Sequence, residues 1–337
     1  MTGAPSSEVR VDPLTGLKTI VAAGRAARPG GWPIAGADAA PIDVETDPFA
    51  DGHEDQTPPE VYADRPDEHA QPDTPGWRVR VVPNLYPALD PDAPDPERSH
   101  APDLFTATAA RGAHEVVVNA PDPVTSLAAL PVDQVARAME VWRARARTHA
   151  ENGASYVHVI VNERAEGGAS LPHTHAQVYA LDFVPAQVAR ERERFTAHAT
   201  RTMGGNLLQD LVGEEVRQRE RMVAIDDEAI LLSPYAARLP YQLLLAPRRP
   251  RARFEDDGPL GAALLHRALN AYRKLLGFQP PLNLWVRTAP RGADHFCWRI
   301  DILPRLTHLA GLELGTGVHL NIVSPEAAAA QLRDVAP

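Results

Sequence analysis

One order of elements runs twice along this chain of 337 residues and restricts its fold more than any other feature. In the first half, the proline-bounded turn Pro83-Asn84-Leu85-Tyr86-Pro87 follows an alternating strand at 77–82. Strands at 114–118, 156–161 and 175–181 come next, with an amphipathic helix at 132–150 after the first and a charged helix at 187–201 after the last. In the second half the turn is Pro234-Tyr235-Ala236-Ala237-Arg238-Leu239-Pro240-Tyr241. Around it lie strands at 229–232, 242–246, 282–287 and 298–303 and a helix at 260–276. Strands with one apolar side and helices with one apolar stripe predict an α+β fold, two copies of a unit built on a central antiparallel sheet. The length agrees, because a single core stops growing at roughly 250–300 residues. The expected division is 1–205 and 206–337, with a pattern-level duplication and no repeat of identity.

Charge and composition remove whole classes of function. The net charge of -10 argues against a dedicated nucleic-acid binder. The longest apolar runs, such as Leu243-Leu244-Leu245-Ala246, are far too short to span a bilayer, and residues 1–10 hold no apolar core of a secretory signal. A single cysteine, Cys297, excludes an internal disulfide and any Cys-rich zinc ribbon. The expectation is a soluble cytoplasmic protein. Residues 43–73 carry eleven acidic side chains against one basic one, Arg65, and many prolines. This predicts an acidic Pro-rich loop, about 36–76, that buries little.

The segment richest in chemistry is Asn162-Glu163-Arg164-Ala165-Glu166-Gly167-Gly168-Ala169-Ser170-Leu171-Pro172-His173-Thr174-His175-Ala176-Gln177. A strand ends at Asn162, a glycine loop follows, and a second strand begins. Residues two apart on a strand share a face, so His173, His175 and Gln177 are expected to line one side. Gly167, Gly168 and Ser170 can offer backbone N–H groups and a hydroxyl to phosphate oxygens. A neutral imidazole beside them can attack phosphorus when a carbonyl holds its other nitrogen. Read alone, His-x-His also describes a metal pair or two surface histidines.

The segment 162–177 resembles the active-site segment of galactose-1-phosphate uridylyltransferases, members of the histidine-triad superfamily. The likeness continues in Asp12-Pro13-Leu14-Thr15-Gly16, Gly24-Arg25-Ala26-Ala27-Arg28-Pro29 and the block from Val81 to Leu89. It ends in Pro304-Arg305-Leu306, Ala310-Gly311-Leu312-Glu313-Leu314-Gly315-Thr316-Gly317 and Ser324-Pro325-Glu326. The resemblance implies two histidine-triad-like halves, each an antiparallel sheet with packed helices. It makes His175 the nucleophile that accepts a nucleotidyl group, with Gln177 and Ser170 on the phosphoryl oxygens and Asn162 ordering the loop. Arg25, Arg28 and Asn84 would lie near the nucleotide and its phosphates, and Glu313 would reach sugar hydroxyls. A homodimer is also implied.

The chain departs from the family at its metals. The place of a zinc-binding Cys-x-x-Cys reads Asp47-Pro48-Phe49-Ala50, and Pro123 stands where a histidine is expected, so only His173 remains. One imidazole cannot close a tetrahedral site, and no metal cofactor is expected there. Asp47, Asp51, His53 and His114 are the residues left that could assemble another. A second, iron-type position keeps Glu191 but has Arg287, Arg299 and Asp301 in place of ligands, and an Arg287/Asp301 ion pair is expected as a replacement tie. His295 and Cys297 are read as packing, and His319 as either a sugar or phosphate contact or a strand residue.

The resulting expectation is a ping-pong nucleotidyltransferase working between a nucleoside diphosphate sugar and a sugar 1-phosphate, most simply UDP-glucose and galactose 1-phosphate. An ADP-sugar or dinucleoside polyphosphate phosphorylase is the alternative, since the motif is shared. A non-catalytic nucleotide-sugar-binding protein is the alternative of another class.

Overall fold

The computed structural model describes residues 7–27, 36–67, 69–97, 99–101, 103–258 and 260–336. In chain order the strands and helices are β1 (Glu8–Val11), β2 (Lys18–Val21), β3 (Tyr62–Asp64), β4 (Val79–Pro83), β5 (Gly112–Val118), α1 (Val132–Glu151), β6 (Tyr156–Glu163) and β7 (His175–Leu181). Then come α2 (Ala186–Thr202), α3 (Leu207–Gln218), β8 (Met222–Ile225), β9 (Ala229–Leu232), β10 (Leu243–Pro247) and α4 (Ala262–Leu276). The chain closes with β11 (Leu282–Arg287), β12 (Arg299–Pro304), α5 (Gly311–Thr316), β13 (His319–Asn321) and α6 (Pro325–Val335).

Ten strands form one sheet in the order β3-β4-β5-β7-β6-β11-β12-β10-β9-β8, every neighbouring pair antiparallel. Counted from either edge, the strands follow the same rule: first, second, third, fifth, fourth. The fourth strands of the two sets, β6 and β11, meet in the middle and pair Asn162 with Asn283 and Val161 with Leu284. Both proline-bounded turns fall between the second and third strands of their set. The repeat of pattern is therefore a repeat of topology inside one continuous sheet. A small second sheet, β1-β2-β13, joins the two ends of the chain.

Strand alternation decides what each face meets. One face presents Val117, Val159, Val161, Ala176 and Val178 to Val135, Met139 and Trp142 of α1. In the second set the same cluster joins Leu243, Leu245, Leu284 and Ile302 to Leu265, Leu269 and Tyr272 of α4, and α1 packs on α4. The opposite face is covered in the second set by α2 and α3, through Phe195, Leu207, Leu208 and Val212. In the first set it carries His175 and Gln177, opposite Val118 and Val116. No helix among the described residues is long and apolar enough to cross a membrane.

The acidic segment corrects an expectation. Its described part is folded against the sheet, with Phe49 in a cluster with Trp77, Val82, Val116 and Val118. Buried Arg80 on β4 donates to Glu60, Thr57, Asp73 and the Glu54 carbonyl, and Arg65 grips both oxygens of Glu60. Trp77 Nε1 donates to Glu54 Oε1 at 2.7 Å. The neutralising charge comes from Arg65 within the segment and from Arg80 on the following strand, outside it.

At the end of β6 the Glu163 carboxylate accepts from Leu127 N–H and Ser126 Oγ, both at 2.7 Å. Burial nonetheless pushes its pKa up to about 7, against the pull of the two donors. The folded chain then holds a proton that the unfolded one releases near ~4.3. Stability is full below that value and falls as pH rises through about 7. Glu163→Gln, which resembles the protonated form, is expected to stabilise the protein at pH ~8 by on the order of 2–3 kcal/mol and to have little effect near pH ~4.5. Urea denaturation at the two pH values checks this; an effect equal at both would contradict it.

Candidate active site

The functional face opens into a cavity of about 410 Å³. His175, Gln177, Ser170 and Asn84 line it together with the apolar Phe49, Val82, Val116 and Leu171. His175 is the first residue of β7, and its ring is oriented from behind: Nδ1 lies 2.8 Å from the His173 carbonyl, to which it must donate. That leaves Nε2 with its lone pair, and no hydrogen bond occupies it among the described residues. Burial lowers the His175 pKa, so the ring is neutral at physiological pH, as a nucleophile needs to be. The Phe49 ring packs edge-on at 5.4 Å between centroids and fixes the imidazole plane.

Gln177, two residues along, points into the same cavity and receives Tyr179 Oη at 2.8 Å and His114 Nε2 at 2.9 Å on its carbonyl oxygen. Asn162 sits behind the glycine loop. Its Oδ1 accepts from Asn283 Nδ2 at 2.8 Å, and the same Asn283 amide donates to the Gly167 carbonyl at 2.6 Å. Arg305 in turn donates to Asn283 Oδ1, so the second half of the chain supports the loop of the first. A Cβ on Gly167 would lie 2.7 Å from the Leu282 carbonyl, which is why glycine is needed at this close approach.

The structure thus brings His175, Gln177, Ser170 and Asn84 around one cavity, with Asn162 bracing the loop. Arg25 lies exposed on the short helix Ala23–Ala27 and does not line the cavity, and Arg28 lies outside the described residues. Glu313 does not line it either: its carboxylate accepts from Ala310 N–H at the start of α5. His173 does not line the cavity beside His175, against the expectation from alternation, because it lies before the start of β7 and its ring is buried between Asp47 and the Ala120 carbonyl. Residues that sequence reasoning missed as part of the site are Tyr179, Asn283 and, as a hydrogen-bonding partner, His114. The signal for Tyr179 was its i+2 relation to Gln177; that for Asn283 was a polar residue between two buried leucines on β11.

Comparison with known proteins agrees with this geometry. The family model described as the N-terminal domain of galactose-1-phosphate uridyl transferase matches residues 3–185, and one described as a domain of unknown function matches 138–335. The chain belongs to the galactose-1-phosphate uridyl transferase family. Among relatives, ADP-glucose phosphorylase of Arabidopsis thaliana is 26% identical, covering 98% of this chain and 93% of that protein. Galactose-1-phosphate uridylyltransferase of Rattus norvegicus is 32% identical, over 74% of this chain and 69% of its own length. The crystal structure of the Arabidopsis ADP-glucose phosphorylase with bound ADP-glucose superposes with a TM-score of 0.80, 26% identity and coverage of 98% and 99%. The fold is that of the family and its histidine-triad superfamily, and the chain is an enzyme of the nucleotidyltransferase and phosphorylase kind.

The residues at the family's zinc position do not fit that ion. His173 directs Nδ1 at Asp47 Oδ2, 2.6 Å away, and Nε2 at the Ala120 carbonyl, 2.9 Å away. Both ring nitrogens are engaged by these two partners, which leaves His173 no free lone pair for a metal. Burial raises the Asp47 pKa, but hydrogen bonds from His173 and the Phe49 N–H bring it below the usual carboxylate value. The other candidates disperse: Asp51 accepts from Gly76 N–H, His53 contacts the Asp47 carbonyl and His114 faces Gln177. No group of three or more His, Cys, Asp or Glu suited to a metal occurs among the described residues.

At the iron-type position, the expected Arg287/Asp301 pair is replaced by a different one. Arg299 bridges Glu191 at 3.0 Å and Asp301 at 3.1 Å, and Arg287 sits 3.4 Å from Glu191. The register is the reason: Arg287 lies opposite Arg299, and Asp301 lies opposite Trp285. Cys297 is buried, and burial pushes its thiol up to about 11, which makes it inert. His319, half-buried on β13, has its pKa lowered by burial and by Arg238.

Asp47→Ala would leave the buried His173 Nδ1 without its hydrogen-bond partner and is expected to cost about 1–3 kcal/mol in chemical denaturation. The wild-type melting temperature is expected to be unmoved by EDTA. A drop on chelation would place a metal in the protein and contradict the ion-pair account.

Proposed function

We propose that this enzyme moves a nucleoside monophosphate from a nucleoside diphosphate sugar to a phosphate-bearing acceptor through a covalent intermediate on His175. In the first half-reaction Nε2 attacks the α-phosphorus, the bond from that phosphorus to the bridging oxygen breaks, and sugar 1-phosphate leaves. In the second, an acceptor phosphate oxygen attacks the same phosphorus and the P–N bond breaks. Leaving group and acceptor are chemically alike, so one cavity serves both steps. The observation that carries this reading is a neutral His175 held at Nδ1 by a carbonyl, beside an oriented amide and a hydroxyl in one cavity.

Two pairs of substrates are consistent with that chemistry. UDP-glucose with galactose 1-phosphate is supported by family membership and by the name of the Rattus relative. An ADP-sugar with inorganic phosphate is supported by the Arabidopsis relative, which matches nearly the whole chain, and by the ADP-glucose bound in its structure. For a metal, we propose that none is required, the Asp47–His173 pair standing in the place of zinc.

Intact-mass measurement after incubation with UDP-glucose or ADP-glucose, followed by a chase with galactose 1-phosphate or phosphate, separates the readings. A UMP or AMP adduct is expected, discharged by one acceptor, with His175→Ala losing turnover by on the order of 10³-fold or more. Binding of both donors without any adduct would overturn the proposal and indicate a nucleotide-sugar-binding protein.

A further inference from the structure

Gln177 is useful to a phosphoryl group only in one of its two amide orientations, with nitrogen outward, and a free glutamine has no reason to choose it. The choice can be traced to a backbone atom. The Ala88 N–H points at His114 Nδ1 from 3.1 Å. A backbone N–H can only donate, so Nδ1 carries the lone pair and the proton of the neutral ring sits on Nε2. That Nε2–H therefore donates to Gln177, 2.9 Å away, and the atom it meets must be Oε1. Tyr179 Oη supplies a second donor to the same oxygen at 2.8 Å.

Both lone pairs of Oε1 are then filled, and turning the amide over would set an N–H group against the His114 Nε2–H and take from Tyr179 Oη the acceptor it now donates to. The partners are themselves fixed: His114 and Tyr179 are opposite each other on β5 and β7, with rings stacked at 4.1 Å. Asn84 is aligned in the same way, because its Oδ1 accepts from Tyr86 N–H at 2.9 Å. Its Nδ2, 3.1 Å from a nitrogen that already bears hydrogen, has no acceptor there and keeps its N–H groups for a ligand.

We propose that His114 and Tyr179 are positioning residues that hold Gln177 with both amide N–H groups toward the phosphoryl oxygens in the cavity. This rests on the nucleotidyl-transfer reading, and the two can fail separately. They act through Gln177 and do not touch substrate, so their effect should disappear when Gln177 is gone.

The test is the single-turnover rate of adduct formation with UDP-glucose and with ADP-glucose, measured for wild type, Tyr179→Phe, Gln177→Ala and the double variant. Tyr179→Phe keeps the ring stacked on His114 and is expected to slow adduct formation about five- to tenfold, with donor affinity and melting temperature unchanged. In the Gln177→Ala background the same substitution is expected to have no further effect. His114→Phe should reproduce the result, and if that variant does not fold, Tyr179→Phe decides alone. Equal slowing by Tyr179→Phe in both backgrounds, or none in wild type, would overturn the inference while leaving the function intact. Failure of wild type to form an adduct with either donor it binds would overturn both.

Discussion

The site depends on one hydrogen bond, from His175 Nδ1 to the carbonyl of His173 two residues earlier. It selects the tautomer, sets the ring plane and leaves Nε2 with its lone pair free. A backbone carbonyl can do this only if its own residue is immobile. His173 is held at both ring nitrogens, by Asp47 from the acidic segment and by the Ala120 carbonyl after β5. The next residue is tied as well: Thr174 N–H donates to the Val124 carbonyl, and its hydroxyl accepts from Asn119, which also receives Trp142 of α1. A chain of fixed groups thus runs from the helical core to the nucleophile.

The second half of the chain lacks the motif, yet it is not a passive counterweight. Across the central seam Asn283 touches both Asn162 and the glycine loop, and Arg305 holds Asn283. Antiparallel pairing of the two fourth strands puts these asparagines directly opposite each other. Separating the halves would remove the loop's brace and expose the cluster in which α1 and α4 share a core.

Much of this was legible in the sequence, and the remainder shows what local pattern cannot carry. The eight inner strands of the large sheet and helices α1, α2 and α4 follow from alternation and amphipathic spacing, because those signals are contained in short windows, whereas the short edge strands β3 and β8 do not. The sheet β1-β2-β13 was not read, since it pairs residues at opposite ends of the chain. The motif 162–177 was recognisable because its parts are contiguous. The partners that make it work, Asp47 for His173 and His114 for Gln177, lie 126 and 63 residues away. The acidic segment was misjudged for a similar reason, as Arg80 neutralises it from outside. The Arg287/Asp301 pair failed on register, which sets Arg287 opposite Arg299 and Asp301 opposite Trp285 and which no local pattern specifies.

The central claim is that the Nε2 atom of His175, made available by the carbonyl of His173, takes the nucleotidyl group. Heteronuclear NMR of protein labelled in both ring nitrogens of histidine, with His175→Ala to assign the resonance, addresses it directly. Before substrate, His175 should show a protonated Nδ1 and an unprotonated Nε2; after addition of the donor, Nε2 should acquire a one-bond coupling to phosphorus. Phosphorus on Nδ1, on another histidine, or on none would contradict the account.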